Sequence, residues 1–67
     1  MRIRTLVKKC PDGPCPAVFE AETGEIFVQG PNIHDGEALK HAGPGEDEGL
    51  VAIPREMIWE ASRLLKT

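Results

Sequence analysis

Ala17-Val-Phe-Glu-Ala-Glu-Thr-Gly-Glu-Ile-Phe-Val-Gln29 is the stretch that decides the fold. Two β-prone runs flank Glu22-Thr23-Gly24, and this spacing predicts a hairpin whose three-residue connection places Gly24 in the left-handed conformation. The connection sets a register in which Ala21 faces Glu25, Phe19 faces Phe27 and Val18 faces Val28. Phe19 and Phe27 then share one side of the sheet, while Val18, Ile26 and Val28 share the other. Such cross-strand pairs are the natural nucleus of a small sheet.

On the N-terminal side stands Cys10-Pro-Asp-Gly-Pro-Cys-Pro16. Three prolines and a glycine in seven residues force a tight, rigid loop. Before it, residues 2–8 are β-prone and read as a further strand, with Ile3, Thr5 and Val7 on one face and Arg2, Arg4, Leu6 and Lys8 on the other. Its charges suit a sheet edge.

On the C-terminal side, Gly30-Pro31 ends the hairpin. Residues 35–41 offer one helical turn capped by Asp35, although Gly36 weakens it. Residues 43–49 form an acidic, glycine-rich loop, and Leu50-Val-Ala-Ile53 reads as a short apolar strand. Pro54 favours a first helical turn. From there to about Lys66, Met57, Ile58, Ala61, Leu64 and Leu65 repeat at helical spacing. The expectation is a single α+β domain over residues 1–67, an antiparallel sheet of three to four strands with one C-terminal helix at about 54–66.

The chain has 67 residues, with one Trp, two Phe and no Tyr. A domain of that length is marginal unless a metal, a disulfide or a second copy supports it. Charge is unevenly placed. Residues 1–9 hold Arg2, Arg4, Lys8 and Lys9 and no acid, whereas residues 10–49 hold nine acids against Lys40 alone. The net charge of −3 disfavours nucleic acid as a partner of the isolated chain, because phosphate neutralisation supplies most of that affinity. A protein partner of mixed charge fits the bipolar pattern better. No run approaches the roughly 18 apolar residues that a membrane span needs. The N-terminus lacks an apolar core of signal-peptide length, so a cytoplasmic protein with no membrane partner is expected.

Three constellations bear on chemistry. Cys10 and Cys15, with His34 and His41, have the donor types of a structural zinc site, and the cysteine spacing is common in such sites. A reversible disulfide across the loop is the alternative, and the plainest reading is a stiff turn with two thiols and two surface histidines. Trp59 lies about 160° around the helix from the apolar stripe. Arg55, Ser62, Arg63 and Lys66 flank it. An aromatic among arginines is a frequent interface anchor, which makes Arg55, Trp59 and Arg63 candidate partner-binding residues. The competing reading folds the indole over the sheet edge. The third constellation is a lack: no nucleophile motif, phosphate loop or calcium loop is present, and no enzyme is expected.

Cys15-Pro-Ala-Val-Phe19, Glu25-Ile-Phe-Val-Gln29, Leu50-Val-Ala-Ile-Pro54 and Trp59, in that order, resemble the small actinobacterial proteins related to the developmental protein BldB. The resemblance implies a regulatory accessory module that acts with a protein partner, such as a helix-turn-helix regulator, and that associates with itself. A second resemblance, of Val51-Ala-Ile-Pro-Arg-Glu-Met57 to the strand-into-helix segment of AbrB-type swapped-hairpin factors, implies a DNA-binding module instead. A small zinc or thiol protein built on Cys10 and Cys15 is the remaining alternative.

Overall fold

The computed structural model describes residues 1–65. Three strands, β1 (Ile3–Lys8), β2 (Ala17–Ala21) and β3 (Ile26–Gln29), form an antiparallel sheet with β2 in the middle. Two helices follow, α1 (Gly36–Ala42) and α2 (Arg55–Leu64). The small α+β fold is the one expected, with a second short helix added. Lys66, the expected end of the helix and a member of its basic face, lies outside the described residues.

The hairpin has the register its connection dictates, with Phe19 opposite Phe27 and Val18 opposite Val28. The Gly24 amide donates to the Ala21 carbonyl at 2.9 Å and the Ala21 amide to the Glu25 carbonyl at 2.9 Å. Gly24 has φ +96°, where an L side chain would be strained.

β1 departs from simple alternation. Thr5 pairs with Phe19 and Val7 with Val18, so two steps along β1 match one along β2. Leu6 is the extra residue of a β-bulge. Alternation puts Val7 with Ile3 and Thr5, but the bulge carries it to the side where Leu6 and Val18 meet the helix. The core there is Leu6, Val18, Met57 and Ala61, with Val7, Ile53 and Leu65 packed against it. Met57 and Val18 are the largest fully buried side chains, each worth about 1.5–3 kcal/mol of apolar burial.

α2 lies over β1 and β2 and makes no packing contact with β3. Pro54 stands just before its first turn in extended conformation. At the other end, Arg4 on β1 pairs with Glu20 on β2 and also donates to the Leu64 carbonyl at 3.3 Å. That guanidinium meets the negative end of the helix, where a cation is favourable. Only Met57 and Ala61 of α2 are buried. Ile58 and Leu64, expected in the core stripe, are about half exposed, because among the described elements α2 packs against β1 and β2 alone.

Residues 50–53 do not form a fourth strand. The Ile33 amide donates to Leu50 (2.9 Å) and the Ala52 amide to Pro31 (3.0 Å), giving an isolated bridge between Asn32 and Val51. Pro31 has no N–H to extend that ladder, and Pro54 follows too soon. Gly30 is required beside this bridge, since a Cβ there would run into the Ala52 carbonyl. α1 is capped as its sequence suggests, with Asp35 Oδ1 accepting from the Ala38 amide at 3.0 Å. Gly43, at φ +59°, ends it.

Candidate functional site

α2 positions the proposed partner-binding residues. With Met57 and Ala61 anchored in the core, the 3.6-residue repeat turns Trp59 away from the sheet. Trp59 is 63% exposed, so the indole does not fold over the sheet edge. The Arg63 guanidinium carbon lies 4.8 Å from the ring centroid, a cation–π arrangement. Ser62 Oγ donates to the Trp59 carbonyl at 2.7 Å. Trp59, Glu60, Arg63 and Leu64 line a shallow depression on this face. Arg55, at the first helical residue and four before Trp59, is exposed on the same side. Among the described residues neither Arg55 nor Arg63 is in an ion pair. The face therefore presents an apolar ring between two guanidinium groups that have not spent their charge inside the molecule.

One carboxylate at the edge of this helix is electrostatically perturbed. Glu56 sits in the first turn, and a hydrogen bond from its own backbone amide holds its pKa below the usual glutamate range. The Lys9 ammonium at 3.2 Å acts in the same direction. Glu56 thus ties the N-terminus of α2 to the end of β1.

The cysteine loop is the connection between β1 and β2. The Lys9 amide donates to the Pro16 carbonyl at 3.0 Å, closing its neck. Gly13, at φ +77°, makes the turn. Inside it Cys10 and Cys15 are joined as a disulfide, with their Cα atoms 6.2 Å apart. Gln29 Nε2 donates to the Cys15 carbonyl at 2.8 Å and fastens the loop to β3. His34 lies in the link between β3 and α1, His41 lies in the last turn of α1, and both are exposed. Among the described residues no three His, Cys, Asp or Glu side chains gather where they would hold a metal ion. The structure thus brings the two cysteines together and does not bring the two histidines into a common cluster with them.

The sheet carries a second exposed feature, apart from Arg55, Trp59 and Arg63. On the side away from α2, Ile3, Phe19, Phe27 and Val51 line an open apolar depression. The signal for it was present in the hairpin, which alternates apolar residues on both faces while the chain supplies one long helix to cover one of them. Among the described residues no helix is long and apolar enough to cross a membrane. Compared with known proteins, the chain matches no family model, no curated protein and no solved structure.

Proposed function

We propose that this chain is a small non-enzymatic accessory module that binds a protein partner through the outer face of α2. The observation that carries the reading is Trp59, the single tryptophan of the chain, held in solvent on a packed helix with Arg63 against its ring. Tryptophan and arginine dominate the energetics of protein interfaces, where a ring enters a pocket and the surrounding contacts exclude water. Arg63 restricts the indole before binding, which lowers the ordering cost of association. The two guanidinium groups select a partner whose pocket is rimmed by carboxylates.

The partner we favour is a transcription regulator of the helix-turn-helix type. This part rests on the resemblance of the strand segments 15–19, 25–29 and 50–54 and of Trp59 to the BldB-related proteins. The test is affinity purification of the tagged chain from its native cells, comparing wild type with Trp59→Ala and with Arg55→Glu/Arg63→Glu. A regulator retained by the wild type and lost by both variants is the expected result. The pair is then titrated in solution, where fluorescence of the lone Trp59 reports directly on this face. Retention of the same regulator by Trp59→Ala, with unchanged affinity, refutes the assignment.

A further inference from the structure

We propose that a second copy of this chain pairs with the first along β3, in antiparallel register centred on Phe27, to make a continuous six-stranded sheet. This surface is separate from the Trp59 face and does not depend on it.

The two edges of the sheet are built differently. β1 carries Arg2, Arg4, Lys8 and Lys9 along or beside it and is interrupted by the bulge at Leu6. Charges and bulges are the usual protections of an edge. β3 has neither. Its sequence is Ile-Phe-Val-Gln, and all four residues are exposed. α2 does not cover it. Ile26 and Val28 on the helix side are each 41% exposed, and Phe27 on the other side is 36% exposed. An unprotected strand with apolar side chains on both faces lacks a partner on each face at once.

The hydrogen-bonding parity fixes how a copy fits. The Ala21 amide is bonded to the Glu25 carbonyl, so the main-chain groups of Glu25, Phe27 and Gln29 turn inward to β2. Those of Ile26 and Val28 turn outward. A two-fold axis through Phe27 sets Ile26 against Val28 of the copy, and the reverse, exchanging four main-chain hydrogen bonds. Phe27 then meets its own copy as a non-hydrogen-bonded pair, the closer kind. Centring the axis on Ile26 or on Val28 would instead spend part of the apolar strand on Gly24 or Gly30.

Charge agrees with this register. Although each chain has a net charge of −3, Glu25 falls opposite Gln29 of the copy and no carboxylate faces its own image. On the Phe27 side, the apolar depressions of the two copies, each lined by Ile3, Phe19 and Val51, then lie on the same face of the joined sheet. An isologous pairing of this kind covers the same patch on both copies and closes after two.

The test is native mass spectrometry and sedimentation velocity of the oxidised full chain over a concentration series. The expected species is a dimer of the 7.3 kDa chain. Val28→Lys, with unchanged circular dichroism, is expected to be monomeric at concentrations where the wild type is dimeric. Phe27→Cys is expected to form an interchain disulfide under mild oxidation, whereas Thr23→Cys, displaced from the axis, is not. Trp59→Ala is expected to keep the dimer. A wild type that stays monomeric throughout, or a dimer that Val28→Lys leaves intact, overturns the proposal. So does a dimer that Phe27→Cys cannot cross-link or that Trp59→Ala dissociates, because each result places the contact elsewhere.

Discussion

Replacing Trp59 by Ala separates an interface residue from a core residue, and the structure sets the size of the effect. Removing a buried tryptophan typically costs about 3–5 kcal/mol. Here the residue is 63% exposed, so only about a third of that burial is lost, or roughly 1–1.7 kcal/mol. The cation–π contact with Arg63 is exposed and adds about 0.5 kcal/mol. Alanine, the better helix former, returns about 0.7 kcal/mol. The net loss is about 1 kcal/mol. Met57→Ala is the matched comparison on the same helix. Met57 is fully buried against Leu6 and Val18, and its truncation should cost about 2–5 kcal/mol. A domain of 67 residues has a total stability on the order of 3–10 kcal/mol. Trp59→Ala should therefore remain folded while Met57→Ala falls close to the limit. Urea unfolding followed by far-ultraviolet circular dichroism reads both, provided the slope is unchanged. If Trp59→Ala loses more than Met57→Ala, the indole is supporting the fold and the reasoning that frees it for a partner is refuted.

Three further outcomes follow from local geometry. Cys10→Ser/Cys15→Ser, or reduction of the wild type, should cost about 1–2 kcal/mol, because the ring is short and Pro11 and Pro14 already restrict its unfolded conformations; urea midpoints with and without reductant measure it. Gly30→Ala should destabilise by about 1–3 kcal/mol, since the new methyl meets backbone at Ala52 rather than a side chain that can move, and hydrogen exchange at the Ala52 amide should accelerate. Glu56 has a folded pKa below its unfolded one, so its contribution is present above the ordinary glutamate range and is lost as pH falls through the depressed value. Glu56→Gln should flatten that acidic limb of the stability profile, and a limb of unchanged steepness would remove the Lys9–Glu56 contact from the account.

What the sequence discloses, and what it withholds, follows from the range of the forces involved. The hairpin register is local: a three-residue connection ending in Gly24 permits one pairing, and Phe19 opposite Phe27 is its consequence. The Asp35 cap and the outward direction of Trp59 are local too, since each depends only on helical geometry. The bulge at Leu6 is different. Nothing at Thr5-Leu6-Val7 marks it, and it is needed because α2 lies where both Leu6 and Val7 can reach Met57 and Ala61. The four apolar residues at 50–53 carry no period long enough to distinguish a strand from a tether, so their single bridge to Asn32 depends on where Pro31 leaves the chain. Cys10 and Cys15 admitted a disulfide, a metal site or free thiols from spacing alone, and the loop neck at Lys9 and Pro16 brings them together.

The placement of the aromatic residues ties the fold to its surfaces. A chain with one Trp and two Phe has little apolar volume to spare, and a domain of this size gains most from burying it. Yet none of the three rings is among the buried residues, and the core is filled by Leu6, Val18, Met57 and small alanines. The disulfide across the loop and the Arg4 link to the helix end supply stability that those rings do not. A single exposed apolar residue is unremarkable, but here the exposed ones are grouped. Trp59 stands between guanidinium groups on α2, and Phe27 stands between Ile26 and Val28 on a bare edge. Each group places an aromatic at the centre of an exposed surface, one rimmed by guanidinium groups and the other by main-chain groups that have no strand beside them. Association would bury the rings that folding leaves outside, so the stability of this domain should rise with the concentration of its own chain and of its partner.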